Sequence, residues 1–288
     1  MHINALGKQI GVEITGVDVR DLGPGEFDAI YAAWLRYGVA VVRDQHLEID
    51  EFLSYSRRFG RLHEHPSKST RHPEHPELTV LGIDKFDADG KLIEAVYARG
   101  GATWHTDGAY EPDPYKATQL YALAIPSRGG DTLFASMYAA CDGLPAKLKE
   151  RLVGAMGAFT YGGRTDENSA LLNPEDRAWT PVHHPILRRH PETGRTGLFF
   201  DPGKIVCIEG MSRSESDDLI DDLTERMVQP DGQYRHQWRK GDIVIWDNRC
   251  CYHKAAADYP PNEDRIHWRV SIKEPLSTES PHRQGSVA

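Results

Sequence analysis

The chain lacks several features that would settle its class at once. It has four cysteines, Cys141, Cys207, Cys250 and Cys251. None stands in the C-x-x-C spacing of a zinc ribbon or a redox motif, so all four are expected to be reduced, buried thiols. Cys250 and Cys251 are adjacent, which on a strand points them to opposite faces and leaves one able to face a pocket. No stretch approaches the roughly 20 apolar residues of a membrane span. The run from Met1 to Lys8 lacks the charged and apolar regions of a signal peptide, and a cytoplasmic location is expected. There is no basic excess: the formal net charge is −9. That balance disfavours general nucleic-acid binding, which relies on clustered Lys and Arg. Internal repeats and low-complexity segments are missing too. Gly129-Gly130-Asp131-Thr132 lacks the Lys and the helix start of a phosphate loop and reads as a tight turn feeding a strand.

What is present fits a globular chain of 288 residues with 39% hydrophobic and 27% charged residues. One domain spanning 1–288 is expected, since single β-barrels reach this length. Ile10 to Val19 reads as an opening strand or hairpin arm. Phe27, Ile30, Trp34 and Leu35 recur at helical spacing with Gly38 as a stop, and Val39 to Val42 follows as a buried strand. Asp50 is the expected N-cap of a helix carrying Phe52, Tyr55 and Phe59. From His63 to Gly101 the chain is rich in His, Pro, Lys, Asp and Gly, with only Leu78 to Leu81 strand-like; a loop covering the active site, about 63–101, is expected here. Strand-like runs return at Thr118–Leu123, Asp131–Ala135, Gly197–Phe200, Asp242–Trp246 and His267–Ile272. Short strands between Gly/Pro turns argue for a barrel or sandwich, mainly β with flanking helices. Helices are expected from about Pro145 to Val153 and after Ser212, where Ser212 and Glu215 form a capping box. The tail, about 277–288, is polar and expected to fray.

The chemistry-bearing residues are His105 and Asp107, in Thr103-Trp104-His105-Thr106-Asp107-Gly108, and the distant His253, followed by Arg265 and Arg269. On a strand, residues two apart share a face, so His105 and Asp107 reach one ion together. Two imidazoles and one carboxylate on one face of a metal leave its other positions open, the pattern of a non-haem iron site. Alone, the His-x-Asp pair is weak, and His63, His65, His72, His75, His183 and His184 compete; a zinc site on His63 and His65 is one such alternative.

Further elements follow in a fixed order: Pro126-Ser127-Arg128-Gly129-Gly130-Asp131-Thr132, His184-Pro185-Ile186-Leu187-Arg188, Tyr234-Arg235-His236-Gln237-Trp238 and Trp246-Asp247-Asn248-Arg249. Together they resemble the taurine dioxygenase and 2,4-dichlorophenoxyacetate dioxygenase family, from about Ile10 to Lys273. The resemblance implies a double-stranded β-helix, a cupin-like jelly-roll barrel, and an iron(II)- and 2-oxoglutarate-dependent dioxygenase with O2 as the other cosubstrate. It implies that His105, Asp107 and His253 hold the iron. Arg265 is then the partner of the distal carboxylate of 2-oxoglutarate, with Thr132 supporting it. A planar guanidinium fork suits a carboxylate. The alternatives are a surface ion pair of Arg265 with Glu263 or Asp264, and an ordinary strand Thr at 132.

The same resemblance gives Arg269 the anionic group of a small organic substrate: sulfonate, sulfate, phenoxy or other carboxylic acid, phosphonate or amino acid. The alternative is an ion pair between Arg269 and an acidic side chain. His65, Lys68 and Tyr110 are further substrate-binding candidates; Phe159, Tyr161 and Arg164 are weaker ones. Lys68 stands where the taurine enzyme has Tyr, and Gly101 where it has Asn, which puts taurine itself in doubt. With Asp107 present, hydroxylation is favoured over halogenation, with succinate and CO2 as coproducts and C–heteroatom cleavage where the hydroxylated carbon bears oxygen, sulfur or nitrogen. A catabolic role and a tailoring step in natural-product biosynthesis both remain open. A metal-dependent hydrolase on the same barrel would need neither Arg265 nor Thr132. A homo-oligomer, dimer or tetramer, is expected, with neither nucleic acid nor membrane as partner.

Overall fold

The computed structural model describes residues 1–64, 71–82, 101–164 and 180–275. The expected active-site loop falls partly, and the polar tail wholly, outside these described residues.

Strands dominate. Sixteen are described: β1 (His2–Ala5), β2 (Val12–Thr15), β3 (Val39–Val42), β4 (Arg61–His63), β5 (Leu78–Leu81), β6 (Ala117–Ala124), β7 (Thr132–Ser136), β8 (Met156–Phe159), β9 (Val182–Pro185), β10 (Leu187–Arg189), β11 (Thr196–Leu198), β12 (Ile205–Ile208), β13 (Gln233–His236), β14 (Ile243–Asp247), β15 (Cys251–Ala255) and β16 (Ile266–Lys273). The helices are α1 (Pro24–Tyr37), α2 (Ile49–Arg57), α3 (Met137–Asp142), α4 (Ala146–Leu152) and α5 (Arg213–Arg226).

An eight-stranded sheet runs β1-β2-β3-β14-β6-β16-β4, with β5 also pairing β16. All its pairings are antiparallel except β2 with β3. β3 and β14 at its centre are apolar on both faces, and side-chain alternation sends each face to a different core. Ala40, Val42, Ile243, Ile245, Val270 and Ile272 meet Phe27, Ile30, Trp34, Phe52 and Phe59 of the α1–α2 layer. Val39, Val41, Leu120, Val244 and Trp246 point the other way and pack with Phe134 of β7. The second face therefore looks across an interior toward the three-stranded sheet β13-β7-β15. A third sheet, β12-β8-β9, packs with α5 and with Phe199, Phe200 and Tyr252 in a separate core.

Local signals explain most boundaries. Gly38 adopts a left-handed conformation (φ 70°), and its N–H donates to the Trp34 carbonyl, closing α1. Ser212 and Glu215 form a reciprocal capping box on α5. The expected cap at Asp50 is displaced: α2 starts two residues earlier than that cap implies, with Glu48 as N-cap and Asp50 in the first turn. Carboxylates at 48, 50 and 51 all favour a helix N-terminus, and the backbone chose the first. Cys250 and Cys251 do not diverge as strand neighbours would. Cys250 lies on the turn before β15, and the two sulfurs approach to 3.8 Å. All four cysteines are free; Cys207 is only partly buried.

Candidate metal centre and active site

His105, Asp107 and His253 converge in the interior, with one donor atom from each lying within 4.8 Å of the other two. They arrive differently from the sequence expectation. His105 and Asp107 are not on a continuous strand; His105 forms an isolated antiparallel bridge with His253 of β15. The bridge is doubly bonded: the His105 N–H donates to the His253 carbonyl at 3.1 Å and the His253 N–H to the His105 carbonyl at 2.9 Å. The chain then turns at Gly108 (φ 76°), where an added Cβ would come within 2.7 Å of the Tyr115 ring.

The donor atoms face one another without hydrogen bonding. Nε2 of His105 is 3.9 Å from Oδ1 of Asp107, and Nε2 of His253 is 3.8 Å from Oδ2. Nδ1 of His105 lies 2.8 Å from the Thr103 carbonyl, which only accepts; the ring proton therefore sits on Nδ1 and leaves a lone pair on Nε2. Burial, reinforced by His105, holds His253 neutral well below the usual histidine range, and its Nδ1 is buried with no hydrogen-bond partner among the described residues. Burial opposes charge on Asp107, but the Arg269 guanidinium, helped by the Thr118 hydrogen bond, outweighs it and holds the carboxyl well below the ordinary carboxylate range. Two imidazoles and an ionised carboxylate around a gap are the donor set that suits a divalent iron.

Asp107 is oriented by Arg269, which the sequence singled out, and by Thr118 and Asn248, which it did not single out for this role. Thr118 donates to Oδ2 at 2.6 Å, and Arg269 Nη2 lies 3.1 Å from the same oxygen, while Oδ1 has no hydrogen bond among the described residues. The Thr118 hydroxyl accepts from Asn248 Nδ2 at 3.0 Å. Asn248 Oδ1 accepts from the Asp107 N–H at 3.3 Å and from the Trp246 indole at 3.0 Å. Only the run Trp246-Asp247-Asn248-Arg249 signalled part of this; a lone Thr on a buried strand carries no signal.

Arg265 lies at the other end of the interior. Its Nε donates to the Gly130 carbonyl at 2.7 Å and Nη2 to Thr132 Oγ1 at 3.3 Å. The expected Gly129–Gly130 turn is present, with φ of 69° and 71°. Trp238 also donates to Thr132 Oγ1, at 3.0 Å. With two donors on its lone pairs, the Thr132 hydroxyl keeps its own hydrogen for another acceptor. Among the described residues no carboxylate salt-bridges Arg265, so the surface pair with Glu263 or Asp264 is not formed. Arg269 does meet an acid, but that acid is Asp107, with Nη2 lying 3.1 Å from Oδ2.

Tyr110 is buried and packs edge-on against Tyr161 at 5.0 Å, with the Lys204 ammonium 5.6 Å from the Tyr110 ring and 3.9 Å from the Tyr161 ring. His65 and Lys68 lie outside the described residues. Phe159 is fully buried in the core beside Phe199. Arg164 binds Asp221 at 2.7 Å and Asp217 at 3.5 Å on α5. A second cluster, His190, Asp247 and Cys250, has its nitrogen and oxygen donors already engaged. His190 Nδ1 accepts from the Glu192 and Thr193 N–H groups, and Asp247 is bound by His190 Nε2 and by the Arg249 backbone and guanidinium. It is a structural network. No described cluster involves His63.

A strand-built interior with a His-x-Asp…His cluster at one end and a lone arginine at the other defines a mainly β oxygenase-type site. Residues 2–271 match the model of the taurine catabolism dioxygenase TauD, TfdA family, and the chain belongs to that family. It is 31% identical to (S)-phenoxypropionate/alpha-ketoglutarate-dioxygenase of Sphingobium herbicidovorans over 286 residues, covering 94% of each chain. It is also 31% identical to alpha-ketoglutarate-dependent 2,4-dichlorophenoxyacetate dioxygenase of Cupriavidus pinatubonensis over 264 residues, 87% of this chain and 90% of that one. A crystal structure of a taurine dioxygenase from Burkholderia xenovorans superposes with a TM-score of 0.78 at 28% identity, over 95% of this chain and 89% of that one. The chain is thus an iron(II)- and 2-oxoglutarate-dependent dioxygenase that uses O2. Among the described residues no helix is long and apolar enough to cross a membrane.

Proposed function

We propose that this enzyme hydroxylates a small organic anion, with iron held by His105, Asp107 and His253 on a double-stranded β-helix. Arg265 and Thr132 bind the distal carboxylate of 2-oxoglutarate, and Arg269 receives the anionic group of the substrate. The observation that carries the reading is the arrangement on β16 and the residue before it. A guanidinium with no acid partner among the described residues sits at one end, and a second one meets Asp107 at the other.

When bound, iron(II) would couple O2, the oxidant, to the oxidation of 2-oxoglutarate to succinate and CO2, one oxygen atom going to succinate and the other to the hydroxylated C–H carbon. The protein's residues do the positioning. His105 presents Nε2 because Thr103 holds the proton on Nδ1. Thr118 and Arg269 fix Oδ2 of Asp107 and leave Oδ1 as the free donor. Nη2 of Arg269 serves Asp107, so the rest of its planar fork remains for a substrate oxygen. Tyr110 and Tyr161 give that space an aromatic wall, and Lys204 adds a positive charge beside it. The relatives are named for phenoxypropionate, 2,4-dichlorophenoxyacetate and taurine, each of which carries a carboxylate or sulfonate; this supports an anion without choosing one. His65 and Lys68 belong to the same proposal as substrate contacts, and a cytoplasmic enzyme is its setting.

The test is succinate release with iron(II), 2-oxoglutarate and O2 across sulfonates, alkyl sulfates, phenoxy acids, phosphonates and amino acids. One class is expected to stimulate release and to lose that stimulation in Arg269→Ala. Stimulation by neutral analogues as strong as by the anions would overturn the substrate class.

A further inference from the structure

His267 is a buried histidine that the reaction as described leaves unused. Its side chain is fully buried, and among the described residues neither ring nitrogen has a hydrogen-bond partner. Buried polar groups are nearly always satisfied, so an imidazole with two orphaned nitrogens calls for a reason. Its cross-strand neighbours, Leu81 on β5 and Ala122 on β6, offer no polar side chain.

Its position supplies the reason. Arg265, His267 and Arg269 alternate along one stretch of chain, and contacts confirm that they share the interior face. The His267 ring packs edge-on against Trp238 at 4.4 Å between centroids, and the Arg265 guanidinium lies 5.9 Å from the same indole. That indole donates to Thr132, the hydroxyl that Arg265 also touches. Two residues further along, Arg269 meets Asp107. At about 3.3 Å of rise per residue, His267 is midway between arginines whose Cα atoms are about 13 Å apart. A dicarboxylate reaching from the metal cluster to Arg265 passes along this face. Burial, then the charge of Arg265, holds the imidazole neutral, with one N–H to donate and one lone pair.

We propose that His267 is a third binding residue for the cosubstrate, donating its ring N–H to the distal carboxylate of 2-oxoglutarate beside Arg265 and Thr132. The inference rests on the assignment of that carboxylate to Arg265. It explains why an imidazole with no hydrogen-bond partner among the described residues persists between two guanidiniums: its partner arrives with the cosubstrate.

Anaerobic calorimetric titration of the iron(II)-loaded protein tests this, with 2-oxoglutarate and with 2-oxobutyrate, which lacks the distal carboxylate. His267→Met should weaken 2-oxoglutarate binding about tenfold, the loss of one hydrogen bond to a charged group, and leave 2-oxobutyrate binding unchanged. The cosubstrate-free His267→Met protein should melt no lower than wild type, because an orphaned polar group has been replaced by an apolar one. His267→Gln, which keeps a donor, should recover much of the affinity. Unchanged 2-oxoglutarate affinity in His267→Met overturns the inference, as does equal weakening for both 2-oxo acids. A fall in melting temperature that Gln does not correct would show a merely structural imidazole and also overturn it. Arg265→Gln separates the two levels: if it binds 2-oxoglutarate normally, the cosubstrate assignment itself fails. If it alone loses affinity, only the role of His267 fails.

Discussion

Thr118→Val probes how the carboxylate of the metal cluster is aimed. Valine keeps the β-branched shape that β6 accommodates and removes only the hydroxyl. That hydroxyl makes a short, charge-assisted hydrogen bond of 2.6 Å to Asp107 Oδ2 and accepts from Asn248 at 3.0 Å. A hydrogen bond to a charged group is worth about 1.5–3 kcal/mol, and loss of an outer-layer partner commonly costs about 10–100-fold in metal affinity. Arg269 still holds the same oxygen at 3.1 Å, so the lower half of that range is expected, about 10–30-fold weaker iron(II) binding. The freed Asn248 amide adds a stability cost of about 1–3 kcal/mol, because it is fully buried. Anaerobic titration of iron(II) against a competing chelator measures the first effect, and urea unfolding of the metal-free protein the second. Thr118→Ser should restore both. Wild-type iron affinity in a folded Thr118→Val protein would refute the reasoning and leave Arg269 as sufficient to orient the ligand.

Two further outcomes follow from the geometry. Arg269→Ala should raise the KM for the organic anion while leaving 2-oxoglutarate binding near wild type, and Arg265→Ala the reverse; equilibrium titration of each variant exposes an exchange of the two roles. Asp247→Asn should destabilise the fold by about 3 kcal/mol, since it removes a buried charge paired to Arg249 and His190. Burial opposes ionisation of Asp247, but Arg249 prevails and holds its pKa below the usual carboxylate value. The stabilisation it gives is therefore present above about pH 4, the unfolded value, and is lost as the pH falls below it. Urea midpoints measured from pH 7 down to pH 3 should show wild type losing stability more steeply than Asp247→Asn.

The two-residue spacing of His105 and Asp107, the remote His253 and the arginines spaced by four were legible because chemistry demands those residue types and they stand out against their surroundings. The strands at Val39–Val42 and Ile243–Asp247 were legible because both of their faces are apolar. Thr118 and Asn248 were not, since a small polar residue in a buried run has the same local signature whether it aims a ligand or merely satisfies a neighbour. The short strands β8, β12 and β13 carry too few residues for a period to show. The assumption that His105 and Asp107 share a strand gave the correct shared direction for the wrong reason: a single bridge and the turn at Gly108 bring them together. His267 was read only as part of a strand, because an orphaned nitrogen is a property of three-dimensional surroundings.

The bridge between His105 and His253 has a bearing on how the enzyme is loaded and stripped. Two of the three metal-facing side chains spring from backbones tied by reciprocal hydrogen bonds, and none of those bonds uses a metal-facing atom, so the main-chain frame does not need the ion for its own pairing. Capture then asks only for side-chain torsions to close on it. Chelation should leave an apoprotein with its frame intact, and reconstitution should be rapid and complete without passage through an unfolded chain. In a cell with fluctuating iron supply, such a protein would exchange its metal as a ligand is exchanged, and its inactive form would be a reservoir ready for reuse.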